Sequence, residues 1–264
     1  MELWQLLVAV IQGLVEWLPI SSEGQVVLFL YSTGAVNYED VISLAIWLHL
    51  GTTMAVVARY PRDIVSLVTL RDRRLLRQLL IATAATAAVA IPLYFTLRTV
   101  VTAATGDLLN MLVGGLLIVT ALMLYLPGKR GVDMTTQTSE HEASDKNMLL
   151  AGLAQGFSVL PGLSRSGLTI SALLMQRIDK NTAFRLSFIM SVPAVLGILG
   201  LEVLLGHGVT SISPPDLMLI IAVVFFFGLL SMEALIRLAA RVNFWRLCLI
   251  LGAITVAFGL PALL

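Results

Sequence analysis

The chain has 264 residues, of which 58% are hydrophobic and only 12% are charged, with a mean hydropathy of +0.93. A soluble domain carries roughly 25% charged residues, so these figures exclude an ordinary soluble enzyme and place the chain in a membrane. The net charge of +1 gives no sign of nucleic-acid binding, and a lone cysteine, Cys248, excludes an intramolecular disulfide or a cysteine metal cluster.

The N-terminus has no Lys/Arg-rich start and no small-residue cleavage site, so no cleavable signal peptide is expected. A spanning helix needs roughly 20 mostly apolar residues. The first apolar stretch, about 3–36, is interrupted from Pro19 to Gly24. Spans are expected next at about 41–60, 77–97 and 108–127. The polar segment 128–147 reads as a flexible cytoplasmic linker, with His141 solvated rather than ligating. A second apolar stretch, about 148–176, is interrupted from Pro161 to Gly167, and further spans are expected at about 183–205, 215–235 and 244–263. Non-helical backbone at membrane depth survives only where protein buries it or where it lines a cavity. Each half of an interrupted stretch is too short to cross. Both stretches are therefore read as re-entrant hairpins that enter and leave on the same side.

The basic residues agree with this count. Placing the loop near 61–76 in the cytoplasm puts 15 of the 17 Lys and Arg on that side, leaving Arg98 outside and Arg165 in the second hairpin. Six spans satisfy the positive-inside rule, with both termini outside. The hairpins also match each other. QGLVEWLPISSEG at 12–24 and QGFSVLPGLSRSG at 155–167 share the pattern Q-G-x7-S-x-x-G. Each is followed by three expected spans, an odd number, so the second copy is inverted. The fold expected is all-α and integral to the membrane, built of two inverted-topology repeats. The first covers 1–127 and the second 148–264. Such repeats bring their interruptions together near the midplane, where ligand sites form.

The chemistry sits in those interruptions. Gly162 and Gly167 allow close backbone approach to a ligand, and amides at a helix start attract anions. Arg165 adds a bidentate cation suited to phosphate; a structural ion pair with Glu16 or Glu23 is the plainer role for it. In the first interruption Gln12 and Glu16 share a helix face at i, i+4, followed by Ser21, Ser22, Glu23 and Gln25. Carboxylates facing an arginine suit a divalent metal or a general base. A serine beside them is either a nucleophile or a helix cap. Together these residues describe a site for an anionic, phosphorylated ligand with a lipid tail.

At EWLPISS, residues 16–22, and PGLSRSG, residues 161–167, continued by Thr169, the chain resembles the undecaprenyl pyrophosphate phosphatase family, the bacitracin-resistance membrane enzymes. The resemblance covers nearly the whole chain. It implies hydrolysis of a polyprenyl diphosphate to the monophosphate at the outer face of the plasma membrane, for lipid-carrier recycling in the cell envelope. It also implies a divalent cation, Mg or Ca. By motif, Glu16 matches the second acid of the family's Glu-x-x-x-Glu pair, and Ser22 the serine proposed as nucleophile. Ser164, Arg165, Ser166 and Thr169 match the diphosphate-binding group. Three positions depart from the pattern: Gln12 stands for the first acid, Glu23 for a threonine and Gln25 for a histidine. Glu23 is a candidate replacement metal ligand beside Glu16. His49, in WLHLGT, stands where the family has glutamine, so the imidazole is expected to have moved to the opposite wall; bonding within the bundle is the alternative. A polyprenyl-phosphate transporter or flippase is the competing activity, because inverted repeats with midplane hairpins also build transporters.

Overall fold

The computed structural model describes residues 2–36, 38–103, 106–129, 143–239 and 244–260. Most of the 128–147 linker, including Arg130 and His141, lies outside them, as do Arg241 and the last residues of the sixth expected span. Every element among the described residues is helical.

The first interrupted stretch forms α1 (Leu3–Val15) and α2 (Ser22–Thr33), which pack on each other. Then come α3 (Tyr38–Arg59), a short α4 (Pro61–Val68), α5 (Arg73–Ala103) and α6 (Gly106–Lys129). The second stretch forms α7 (Asp145–Gly156), a 3-10 turn (Phe157–Val159) and α8 (Arg165–Met175). It is followed by α9 (Lys180–Leu204), α10 (Pro214–Ala239) and α11 (Phe244–Gly259). α4 was not anticipated: it is an eight-residue helix with Pro61 at its first turn and no buried residue, set where the sequence suggested only a loop.

Five of these helices, α3, α5, α6, α9 and α10, are long and apolar enough to cross a membrane. The expected sixth span is the 16-residue α11. It runs antiparallel along α6. Trp245 stacks near Tyr125 at one end, with ring centroids 5.1 Å apart, and Gly259 meets Met111 and Asp107 at the other. Between them the helix backbones touch, since a Cβ on Gly114 would lie 2.8 Å from the Gly252 carbonyl oxygen. Without a hydrophobic driving force inside lipid, such small-residue contacts are what holds helices together.

The glycine of each Q-G pair does the same job. A Cβ on Gly13 of α1 would lie 2.9 Å from Phe227 Cβ of α10, and one on Gly156 of α7 would lie 2.5 Å from Val89 Cβ of α5. Each hairpin is thereby docked on a long helix of the opposite half of the chain. Trp17, fully buried, pins the first interruption further: its indole N–H donates to the Gly228 carbonyl at 2.8 Å, and its ring meets Phe188 edge-on.

A second buried polar cluster ties α3, α5 and α9 together. Glu202 is fully buried and accepts from Ser43 Oγ at 2.8 Å, from the Tyr94 hydroxyl at 2.5 Å and from Arg98 Nη2 at 2.5 Å. Arg98 is the cation that the expected topology leaves on the outer side. Removing one member of such a network would strand a buried charge, so it clamps the three helices.

Candidate active site

Both interruptions turn into a helix in the same way. Ser21 caps α2, its Oγ accepting from the Gly24 amide at 3.2 Å; Ser164 caps α8, its Oγ accepting from the Gly167 amide at 3.1 Å. These are the aligned serines and glycines of the repeat. The two turns also touch. Gly162 has φ +110°, and its amide donates to Ser21 Oγ at 3.0 Å. A Cβ on Gly24 would lie 3.0 Å from the Gly162 nitrogen. Ser21 itself holds φ +57°, a left-handed conformation uncommon for a non-glycine residue, kept by its two N–H donors.

This contact brings the charged residues of the two turns into one cavity of about 100 Å³. Glu16, Ser21, Ser22, Glu23, His49, Ser164, Arg165 and Ser166 line it. Glu16 is the hub. Its Oε1 accepts from Arg165 Nη2 across the cavity; its Oε2 accepts from Ser22 Oγ at 2.5 Å and from Gln12 Nε2 at 2.8 Å. His49 donates Nδ1–H to the Ala45 carbonyl at 2.7 Å and turns Nε2 toward Glu16 Oε2, 3.5 Å away. The ion pair weighed for Arg165 is made with Glu16. One guanidinium nitrogen pairs with Glu16, while Nη1 is buried without a partner among the described residues. Of the two serines, Ser21 caps α2 and Ser22 bonds the Glu16 carboxylate.

Other expected site residues serve the frame. Gln12 is fully buried behind Glu16 and does not reach the cavity. Gln25 faces a different groove, with Ile11, Asp107, Asn110 and Thr255. Thr169 bonds the Arg165 carbonyl at 2.9 Å and the Ser187 hydroxyl. The glycine amides are not offered to a ligand: Gly162 donates to Ser21 and Gly167 to Ser164. The Ser164 amide donates to Thr120 Oγ1 at 3.2 Å. The amides of Arg165 and Ser166, in the first turn of α8, remain for an anion.

Sequence reasoning missed Thr86, Gln155 and Ser158, which supply the far polar wall, and the apolar side formed by Leu18, Ile46, Ala90, Ala194, Val195 and Ile198. Thr86, Ala90, Ala194 and Ile198 come from long helices whose facing direction hydropathy does not report. Gln155 did carry a signal: it is the glutamine of the second Q-G pair.

The family model described as "Bacitracin resistance protein BacA" matches residues 5–254. This chain belongs to the BacA family. Among similar proteins, an undecaprenyl-diphosphatase from Methanothrix thermoacetophila is 39% identical over 96% of this chain and 94% of its own length. One from Methanopyrus kandleri is 39% identical over 99% and 97%, and one from Haloarcula marismortui 36% identical over 97% and 96%. The match to the BacA family spans both hairpins, so the whole cavity lies inside the shared region.

Among the described residues, no group of three or more His, Cys, Asp or Glu side chains is placed to hold a metal. Both Glu16 oxygens are engaged. Glu23, by contrast, lines the cavity and makes no side-chain hydrogen bond among the described residues. One free carboxylate suits a cation that arrives with phosphate oxygens already on it, since magnesium is typically held by one or two carboxylates plus substrate phosphates.

Proposed function

We propose that this protein is a multi-pass membrane phosphatase that hydrolyses a polyprenyl diphosphate, of the undecaprenyl type, to the monophosphate. The observation that carries the reading is the Ser22–Glu16–Arg165 constellation: a hydroxyl hydrogen-bonded to a carboxylate that is paired with an arginine from the other hairpin. Family membership and the names of the relatives agree with it.

Arg165 Nη1 and the first-turn amides of α8 bind the terminal phosphate and stabilise the charge that builds on it. The apolar wall takes the first units of the prenyl chain. Ser22 Oγ attacks the terminal phosphorus and gives its proton to Glu16. The bond from that phosphorus to the bridging oxygen breaks, and the lipid monophosphate leaves. His49 holds Glu16 from the opposite wall and helps it exchange the proton. Glu23 is the residue for a magnesium or calcium ion, which would neutralise diphosphate charge. Water then releases phosphate from Ser22.

The architecture proposed with this activity is two inverted repeats, six crossings and two re-entrant hairpins, with both termini and the cavity mouth on the outer face of the plasma membrane. Supporting it are the equivalent caps at Ser21 and Ser164, the docking of α1 on α10 and of α7 on α5, and the one-sided distribution of basic residues.

The test is inorganic phosphate release from farnesyl diphosphate by purified protein in detergent, with and without magnesium or calcium. Hydrolysis needs no membrane sidedness. Release lost in Ser22→Ala and Arg165→Ala is the expected result. Folded protein that binds the lipid and releases nothing would overturn the reading in favour of lipid transport.

A further inference from the structure

Gln155 is 2% exposed and lines the cavity, yet it contacts neither Glu16 nor Arg165. Its amide orientation follows from hydrogen-bond accounting. Thr86 Oγ1 has one hydrogen, and its neighbours at 2.8 and 3.0 Å are the carbonyl oxygens of Ala82 and Gly152. Both can only accept, so the threonine proton goes to one of them and the hydroxyl oxygen is left as an acceptor. The Gln155 atom 3.1 Å from it, and 3.5 Å from the Met190 carbonyl, must be the donor Nε2. Oε1 therefore takes the other position. It is buried and has no hydrogen-bond partner among the described residues.

A buried carbonyl oxygen without a donor costs roughly 1–3 kcal/mol, so a ligand at this place should bring a hydrogen. A diphosphate in the cavity offers oxygens that repel Oε1. Water offers the hydrogen. Hydrolysis consumes one water, and a water left to tumble in an apolar-walled cavity attacks poorly. We infer that Gln155 Oε1 holds and aims the water that completes hydrolysis, with Thr86 and the Met190 carbonyl fixing the amide. Two hydrogens on that water leave one for Oε1 and turn an oxygen lone pair away from it, toward phosphorus. In the step itself, water oxygen bonds to phosphorus and the bond from phosphorus to Ser22 Oγ breaks. The electron pair stays on Oγ, which recovers its proton from Glu16. Both water protons leave on the phosphate. The aimed water is equally needed if it attacks the diphosphate directly. This rests on the phosphatase reading above.

The test is Gln155→Met, which keeps volume and removes the acceptor, assayed by steady-state kinetics on farnesyl diphosphate. The kcat is expected to fall about 100-fold, with kcat/KM falling no more than kcat, because slow hydrolysis of the phosphoserine lowers KM as well, and with the magnesium activation constant within about twofold of wild type. A merely structural role would not alter nucleophile choice. In the presence of methanol, the ratio of methyl phosphate to inorganic phosphate, read by 31P NMR, is expected to rise about tenfold as water loses its advantage. A wild-type protein that releases no phosphate defeats the phosphatase reading, and this inference with it. An active wild type beside a Gln155→Met variant with unchanged kcat and methanol ratio overturns this inference alone. So does a change confined to KM, which would make Gln155 a diphosphate contact, or one confined to metal activation, which would make it a cation ligand. If the variant does not fold, a wild-type structure with bound phosphate decides: ordered water within 3.2 Å of Oε1 supports the assignment, and direct contact of Oε1 with phosphate or metal refutes it.

Discussion

The two interruptions share a frame and differ in cargo. In each, a Q-G pair lies in the last turn of the incoming helix, its glycine presses on a long helix of the other half of the chain, and a serine caps the outgoing helix through the amide three residues on. The residue after the capping serine is Ser22 in one copy and Arg165 in the other. Five residues before the cap stands Glu16 in the first and Val159 in the second. The first interruption thus carries the acid and the hydroxyl bonded to it, the second the cation. The glutamines diverge as well: Gln12 supports Glu16 from behind, whereas Gln155 is among the residues that line the cavity. Two such turns can hold opposite charges because their capping hydrogen bonds are made by the serine and glycine common to both. The divergent positions are free to face each other.

That division is open to attack at several points. The largest effect should come from the cargo. Arg165→Ala or Glu16→Gln is expected to lower phosphate release by about 100- to 1,000-fold, measured as kcat/KM. The double variant should be little worse than either single one, because each leaves the other unpaired. An additive loss would mean that the two turns do not act as one site.

Next comes the contact between frames. Gly162→Ala places a Cβ 2.5 Å from the Val113 carbonyl oxygen at φ +110°. It is expected to cost about 3 kcal/mol, seen as a lowered melting temperature in detergent. Of the caps, Ser21→Ala should cost about 2 kcal/mol and Ser164→Ala about 1 kcal/mol. Ser21 Oγ accepts from the Gly162 amide as well as from its own helix. Equal losses would show that the bridge between the hairpins contributes nothing.

The smallest effects sharpen the contrast between two neighbouring polar residues. His49→Gln is expected to lower turnover about tenfold, because the ring faces Glu16. Gln25→His should change turnover by less than about twofold, because Gln25 lines another groove. The reverse ranking would restore the family's histidine position to the active site and place His49 in the bundle.

The membrane class, the two interruptions, their repeated pattern and most of the charged site residues could be read from the chain itself. These features are local. Apolar length, helix-breaking prolines and the spacing of serine and glycine act within a few residues. The unpaired cost of Arg165 at membrane depth marks it without reference to any neighbour. What the tertiary structure decided is which of these residues share a cavity. Gln12, Gln25 and Thr169 lie in the same two stretches as Ser22 and Arg165, but helix rotation turns them to other walls. Gly162 and Gly167 attract anions as a sequence pattern, yet their amides are taken by Ser21 and Ser164 once the turns meet. The far wall of Thr86, Gln155 and Ser158, and the clamp of Ser43, Tyr94 and Arg98 on Glu202, join residues 66 to 159 positions apart in the chain. Such pairings depend on which face of each helix packs inward. In a chain apolar on nearly every face, hydropathy leaves that undetermined, and close glycine contacts settle it.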